Sequence, residues 1–282
     1  MNPYSLTFDK NITIKSKDLK ENIFVIKCGG SLLSNKIYLE QIIKEISQIY
    51  QLGIKIILVH GGGNEINDIC NKFHISSKFL NGQRVTDKET MEIVQLSLHG
   101  KTNRNIISSF NKYNVKSIGI SGQDSKTIEA NIRDEKLGYV GNITNVNLNL
   151  IEHLLNGNYL PVISSLATDK QGNTYNINAD IMAAEIAIAI SADKFLILSD
   201  IDGIYDDYKN KNSLYHDITL NQIEKGIQDN KFTDGMLPKL EACSLLIKKK
   251  KTDCQIINGK KENNILESLI FNMPIGTKII NL

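Results

Sequence analysis

The stretch Ile23-Phe24-Val25-Ile26-Lys27-Cys28-Gly29-Gly30 is apolar up to its lysine and closes on two glycines. Residues 54–63 repeat the plan, with Ile54-Lys55-Ile56-Ile57-Leu58-Val59-His60 running into Gly61-Gly62-Gly63. Short β-branched runs bounded by glycine read as strands buried on both faces, the kind found in parallel sheets. Further strands of this type are expected over 116–121, 160–165, 194–200 and 254–258. Between them, amphipathic spacing predicts helices over 36–51, 64–73, 87–113, 147–156, 179–191 and 236–250. Strands that alternate with helices specify an α/β fold with a mainly parallel central sheet. Residues 82–87 and 127–141 carry turn residues between short extended runs and read as hairpins. Residues 1–22 precede the first buried strand and read as a polar N-terminal tail.

The chain has 282 residues, with 33 basic and 31 acidic side chains for a formal charge of +2. That balance gives no general attraction to nucleic acid or to an anionic membrane, so any anion must be bound locally. Cys28, Cys70, Cys243 and Cys254 are dispersed, without a C-x-x-C pair, and read as free thiols in a reducing compartment. No signal peptide or run of ~20 apolar residues is present, which places the expectation in the cytoplasm.

Chemistry concentrates where strands end, the usual ligand edge of open α/β sheets. Three glycine runs sit there: Gly29-Gly30, Gly61-Gly62-Gly63, and the glycines of Gly119-Ile120-Ser121-Gly122-Gln123-Asp124. Backbone amides near helix starts suit phosphate or carboxylate oxygens, although glycine also serves tight turns that bind nothing. Lys27, at the end of a buried strand, is costly unless its ammonium meets an anion or an acidic partner. Arg84 suits a two-pronged carboxylate clamp, or else a salt bridge to Asp87. Asn176, Asn178 and Asp180 open an alanine-rich helix, where Asn178 has the capping position. Asp200 and Asp202 end an apolar strand, suited to ribose hydroxyls or a phosphate-bound cation, or to a solvated turn. Lys239 falls in the first turn of the last long helix, a poor place for a cation unless an anion is there.

In this order, K-x-G-G at Lys27, H-G-G-G-x-E-I-N at His60, G-x-R-V-T-D at Gly82, S-G-x-D at Ser121, N-I-N-A-D at Asn176, L-S-D-x-x-G at Leu198 and D-G-M-x-x-K at Asp234 resemble the amino acid kinase family. The likeness implies a three-layer αβα sandwich. It implies one kinase domain over 23–282, with an acyl-amino-acid-binding and dimerisation lobe over about 23–170 and an ATP-binding lobe over about 171–282. The implied reaction is ATP-dependent phosphorylation of a carboxylate. The motifs lie nearest the branch that acts on the γ-carboxylate of N-acetyl-L-glutamate, early in arginine and ornithine biosynthesis.

By the same resemblance, Lys27 and Lys239 hold the phosphoryl group in transit, Asp180 orients both, and Gly30 and Gly62 give amides to its oxygens. Gly62, Gly63, Arg84 and Asn176 bind the acylated amino acid. Asp200, Ile201, Asp202, Gly203, Ile204, Tyr205, Lys231, Phe232 and Thr233 line the ATP pocket. Mg²⁺ is expected to be held mainly by the ATP phosphates and water, with no dedicated protein metal site. A carboxylate acceptor is already ionised, so the site needs no general base, and His60 supports its glycine loop instead of reacting.

The resemblance also implies a homodimer, and the tail lacks the amphipathic pattern of the helix that joins arginine-regulated relatives into hexamers. Cys28 stands where the family usually has Tyr or Leu, and Thr233-Asp234 replaces a common glycine. Sister kinases acting on N-succinylglutamate or an acylated 2-aminoadipate would share most of these motifs. A nucleoside monophosphate kinase of the same fold, or a ligand-binding regulator without catalysis, are the remaining alternatives.

Overall fold

The computed structural model describes Leu19 and residues 21–80, 82–232, 235–250 and 252–281. The tail expected over 1–22 therefore lies outside the described residues except for Leu19, Glu21 and Asn22. An eight-stranded sheet forms the centre, in the order Asp217–Thr219, Thr277–Ile280, Asp253–Asn258, Lys194–Ser199, Ile23–Cys28, Lys55–His60, Leu160–Ser164 and Ser117–Ser121. Six of these run parallel. Thr277–Ile280 pairs antiparallel with Asp253–Asn258, so it and its parallel neighbour Asp217–Thr219 run the other way.

Both faces of the sheet are covered, which is why its strands read as continuous apolar runs. Phe24, Ile26, Cys28, Leu58 and Leu196 point to one face and pack with Ile42, Ile46 and Ile49 of helix Lys36–Gln51, with Ile106 and Phe110 of Arg104–Asn111, and with Leu266 of Asn264–Leu269. Val25, Ile57, Val59, Phe195 and Ile197 point to the other, against Met182 and Ile186 of Ala179–Ala189 and Leu240 and Leu246 of Leu237–Lys249. The result is the expected three-layer αβα sandwich. All four cysteines are buried free thiols, and burial pushes the Cys28 thiol up to about 12.

Register decides where the site falls. Lys27 stands beside Ile197 on one side and Val59 on the other, and Cys28 stands beside Leu198 and His60. The first two glycine runs and the acids after Ser199 thus leave the sheet at one level, from three adjacent strands.

The structure adds elements that the sequence reading lacked. The edge strand Asp217–Thr219 and its neighbour Thr277–Ile280 are new, as are helices Leu220–Gln228 and Asn264–Leu269. The helix expected over 87–113 is found over 88–111, with a π-helical stretch Leu96–Asn103 at its middle. The first hairpin pairs Phe79–Leu80 with Gln83–Arg84, so it begins earlier than expected, and Asp87 is instead the cap of the following helix. The second hairpin pairs Ile128–Ile132 with Gly141–Val146 and joins Leu166–Thr168 and Thr174–Asn176 in a separate four-stranded sheet.

Candidate active site

Lys27 and Asp180 form a buried ion pair of 2.9 Å, with side chains only 7% and 8% exposed. The helix that carries Asp180 is started by Asn178, whose Oδ1 accepts from the backbone N–H groups of Asp180 and Ile181 at 2.9 and 3.2 Å. Asn178 is thus a cap, and its bonds fix the turn from which Asp180 projects. Lys239 comes from the opposite helix, one residue after Pro238, and donates to the Gly235 carbonyl at 2.8 Å. Its pKa is lowered by burial first and by the charge of Lys27, against the opposing pull of Asp180 and Asp200. Lys27, Asp180 and Lys239 therefore share one electrostatic neighbourhood.

The two glycine loops meet backbone to backbone. A Cβ on Gly30 would lie 2.9 Å from the Gly63 nitrogen and 3.0 Å from the Gly62 Cα. Gly61 lies against Ala179, the residue before Asp180, at 3.3 Å by the same measure. Behind the loop, the buried His60 ring donates from Nδ1 to the Gly61 carbonyl at 3.0 Å, and its Nε2 accepts from Asn103 Nδ2 at 3.0 Å. Asn103 also donates to the Val162 carbonyl at 2.9 Å. Burial pushes the imidazole down to about 4, so it is neutral at physiological pH and supports the loop. Asn103 belongs to the π-helical stretch, a feature common at functional sites.

A cavity of about 420 Å³ opens from this loop, with Gly61, Gly62, Gly63, Arg84 and Asn176 all in its wall. Helix Gly63–Lys72 begins there without a side-chain cap, which leaves its first amides available to an anion. Arg84 is only 8% exposed. Its guanidinium donates to Ser77 Oγ at 2.6 Å and Asn67 Oδ1 at 2.5 Å and lies 4.8 Å from the centre of the Phe79 ring. Among the described residues it has no acidic partner. Asp87 instead accepts from the Thr90 N–H at 2.8 Å. Asn176 donates to Thr86 Oγ1 at 3.2 Å.

The cavity wall also includes Arg133, Leu98 and Glu241, which sequence reasoning missed. Arg133 sits in the expected second hairpin, but nothing in the pattern separates it from an ordinary surface arginine. The third glycine run is not part of this wall. Gly122 packs against the Leu166 carbonyl and Ile128, and Asp124 folds back to accept from Ser121 N and Oγ at 2.6 and 2.8 Å. That run is a joint between the two sheets.

The residues expected around the nucleotide form a separate group at the neighbouring strand end. Asp202 accepts from Asn258 Nδ2 at 2.9 Å, pairs with Lys261 at 2.7 Å and accepts from the Tyr205 hydroxyl at 3.3 Å. These contacts, Lys261 foremost, lower its pKa. Asp200 and Ile201 stand at the start of the same turn, partly open to solvent. Gly203 adjoins Thr277, and Ile204 is fully buried, its N–H donating to Thr277 Oγ1 at 2.8 Å and its carbonyl accepting from Tyr215 N at 2.9 Å, so both its backbone groups are engaged within the fold. Lys231 pairs with Asp206 at 2.8 Å, while Phe232 packs on Gly226. Thr233 lies outside the described residues. No group of three or more His, Cys, Asp or Glu arranged to hold a metal occurs among the described residues, and none of their helices is long and apolar enough to cross a membrane.

Two lysines, one aspartate and two amide-rich glycine loops thus gather at one edge of the sheet, a grouping with the charge and donors to hold a phosphoryl group. Residues 22–258 match the model of the amino acid kinase family. The chain belongs to that family.

Its relatives give the particular branch. It is 38% identical over 254 residues to an acetylglutamate kinase of Clostridium acetobutylicum, covering 88% of this chain and 86% of the relative. It is 38% identical to one from Archaeoglobus fulgidus, covering 93% and 94%. Among solved structures, smu.665 of Streptococcus mutans UA159 superposes with a TM-score of 0.78 at 28% identity, over 91% of this chain and 98% of that one. N-acetylglutamate synthase of Neisseria gonorrhoeae shares the fold, with a TM-score of 0.83 at 19% identity, over 96% of this chain and 62% of that one.

Proposed function

We propose that the protein transfers the γ-phosphoryl group of ATP to the γ-carboxylate of N-acetyl-L-glutamate, giving N-acetyl-L-glutamyl 5-phosphate and ADP early in arginine biosynthesis. One observation carries this reading. A single cavity holds the buried Arg84, without an acidic partner among the described residues, and its glycine loop adjoins the Lys27–Asp180 pair. Such a cavity suits a small molecule with a carboxylate at each end. The relatives matched along about nine tenths of the chain are acetylglutamate kinases, which agrees.

In this mechanism Arg84 grips the α-carboxylate and Asn176 meets the acyl amide. The γ-carboxylate, ionised at neutral pH, attacks the γ-phosphorus in line, and no base is required. Amides of Gly30 and Gly62 and the ammonium groups of Lys27 and Lys239 neutralise the equatorial oxygens. Asp180 orients both lysines, so catalysis comes from positioning and electrostatics. Asp200 through Tyr205, with Lys231 to Thr233, receive the nucleotide, whose phosphates and water carry the magnesium ion. The acyl amino acid is placed mainly on the lobe of about residues 23–170 and ATP on that of about 171–282. Assembly as a homodimer in the cytoplasm completes the proposal.

The test is ADP release, read by a coupled assay, with ATP and a panel of N-acetyl-L-glutamate, N-succinyl-L-glutamate, N-acetyl-L-2-aminoadipate and uridine monophosphate, with hydroxamate formation identifying the acyl phosphate from the carboxylate substrates. N-acetyl-L-glutamate should lead in kcat/KM by about tenfold or more, the discrimination a pocket achieves against one methylene or a larger acyl group. A higher kcat/KM for any other member refutes the substrate assignment.

A further inference from the structure

The nucleotide wall described above has a charge problem. Asp200, Asp202, Asp206 and Asp207 put four carboxylates into one segment that has to receive a polyanion. Like charges at close range repel, so cations must enter from elsewhere. Lys231 is engaged by Asp206 at 2.8 Å. The turn after strand Asp253–Asn258 brings two more. Lys261 lies 2.7 Å from Asp202, and Lys260 lies 4.0 Å from Asp200.

That turn is held from both ends. Asn258 donates from Nδ2 to Asp202 at 2.9 Å and accepts from Lys260 N at 2.9 Å, while the Gly259 N–H donates to the Ser199 carbonyl at 2.8 Å. At the far end stands Glu45 of helix Lys36–Gln51, a carboxylate only 4% exposed among Ile42, Ile43, Ile46 and Ile49. Glu45 accepts from the backbone N–H groups of Asn263, Ile265 and Leu266 at 2.9, 2.9 and 3.2 Å. Asn263 has a left-handed backbone, with φ of 64°, and makes no cap bond with its own side chain. The cap of helix Asn264–Leu269 is therefore supplied by a residue more than 200 positions away. A buried carboxylate with three amide partners is a demanding arrangement, and substituting it frees those donors.

We propose that Lys260 and Lys261 are phosphate-binding residues of the nucleotide site, and that Glu45 is the positioning residue that fixes the turn carrying them. The inference rests on the nucleotide reading of residues 200–205 given above. It adds a third chain segment to that wall, with ammonium groups beside Asp200 and Asp202.

Steady-state kinetics on the full chain, with ATP and N-acetyl-L-glutamate varied separately, tests it on Lys260→Met/Lys261→Met and on Glu45→Gln. The double lysine variant should raise KM for ATP about tenfold, the scale of losing charge-assisted contacts worth ~1.4 kcal/mol, and leave KM for N-acetyl-L-glutamate within about twofold. Glu45→Gln, with a melt confirming that it is folded, should raise the ATP KM in the same selective way. Glu45→Asp, which keeps the charge with a shorter reach, is the second variant and should show a smaller rise of the same kind. Equal changes in both KM values, or an ATP KM unchanged in the lysine variant, overturn the phosphate-binding role. A folded Glu45 variant with wild-type ATP KM overturns the positioning role. Wild-type protein that transfers no phosphoryl group from ATP refutes the underlying nucleotide reading instead.

Discussion

Gly30→Ala tests whether the approach of the two glycine loops sets the catalytic geometry. The added methyl would stand 2.9 Å from the Gly63 nitrogen, 3.0 Å from the Gly62 Cα and 3.2 Å from the Gly62 carbonyl carbon. All three are backbone atoms, which cannot swing aside as a side chain tip would. Comfortable contact is ~3.5–4.0 Å, so the loops must part by roughly 0.5–1 Å. Overpacking of this kind costs ~1–3 kcal/mol, against a total stability of ~5–15 kcal/mol, so the variant should fold. Its melting temperature should fall by about 2–12 °C. Displacing a phosphoryl-binding loop by up to ~1 Å should lower kcat by about 10²-fold. The hydroxamate assay and a thermal melt read the two effects separately. Gly63→Ala is the control, because a Cβ there meets nothing within 4 Å and enters the cavity instead. It should keep the wild-type melting temperature and mainly raise KM for the acyl amino acid. A Gly30→Ala enzyme with kcat within about threefold of wild type would refute the reasoning, since the predicted displacement is the source of the ~10²-fold loss.

Asp180→Asn leaves the Lys27 ammonium buried without its 2.9 Å partner. Stability should drop by ~3–5 kcal/mol in urea titrations, and kcat by about 10²-fold or more. Lys239→Ala should lower kcat by about 10²-fold with KM for N-acetyl-L-glutamate little changed, and a loss below about tenfold counts against its role. Arg84→Lys should raise KM for the acyl amino acid, because an ammonium cannot replace a planar fork; a change confined to KM for ATP contradicts it. His60 is depressed to about 4 in the fold, against ~6.5 unfolded, so the unfolded chain binds the extra proton as pH falls between those values. The His60 contribution is complete above about pH 6.5, and ~3 kcal/mol is lost on acidification to about pH 4. Denaturant midpoints should fall over that window less steeply in His60→Gln, and an unchanged slope removes the assignment.

The parallel sheet was legible because burial on both faces forces its strands to be apolar throughout, and Lys27 stood out as the charge that breaks that rule. Lys36–Gln51 was legible for the complementary reason, a clean apolar stripe beginning at Asn35, whose Oδ1 accepts from Ile37 N at 2.9 Å. The short strands Asp217–Thr219 and Thr277–Ile280 were not, since three or four residues carry too little pattern to compete with turn signals. Gly122 and Gly62 looked alike as letters. A glycine declares that something approaches the backbone closely, and only the fold says whether that neighbour is a ligand or, as at Gly122, the Leu166 carbonyl and Ile128. Arg84 stood out by its motif and lies in the cavity wall, whereas Arg133 and Glu241 join that wall through tertiary placement of a hairpin and a helix.

The sheet order also explains how so few charges suffice. Strands Ile23–Cys28, Lys55–His60 and Lys194–Ser199 are adjacent and in register, so Lys27, the Gly61 loop and Asp200 emerge together although more than 170 residues separate the first from the last. Lys239 then approaches from helix Leu237–Lys249 into a neighbourhood where burial, and less strongly Lys27, disfavour its charge against the opposing pull of Asp180 and Asp200. Two ammonium groups therefore stand close together in a poorly solvated place, and burial is the main cost to the charge on Lys239. In the proposed reaction, a phosphoryl group between them would supply the counter-charge that burial withholds, most of all when its own negative charge is greatest, in the transition state. The arrangement that is unfavourable for the empty site is therefore the one that favours transfer.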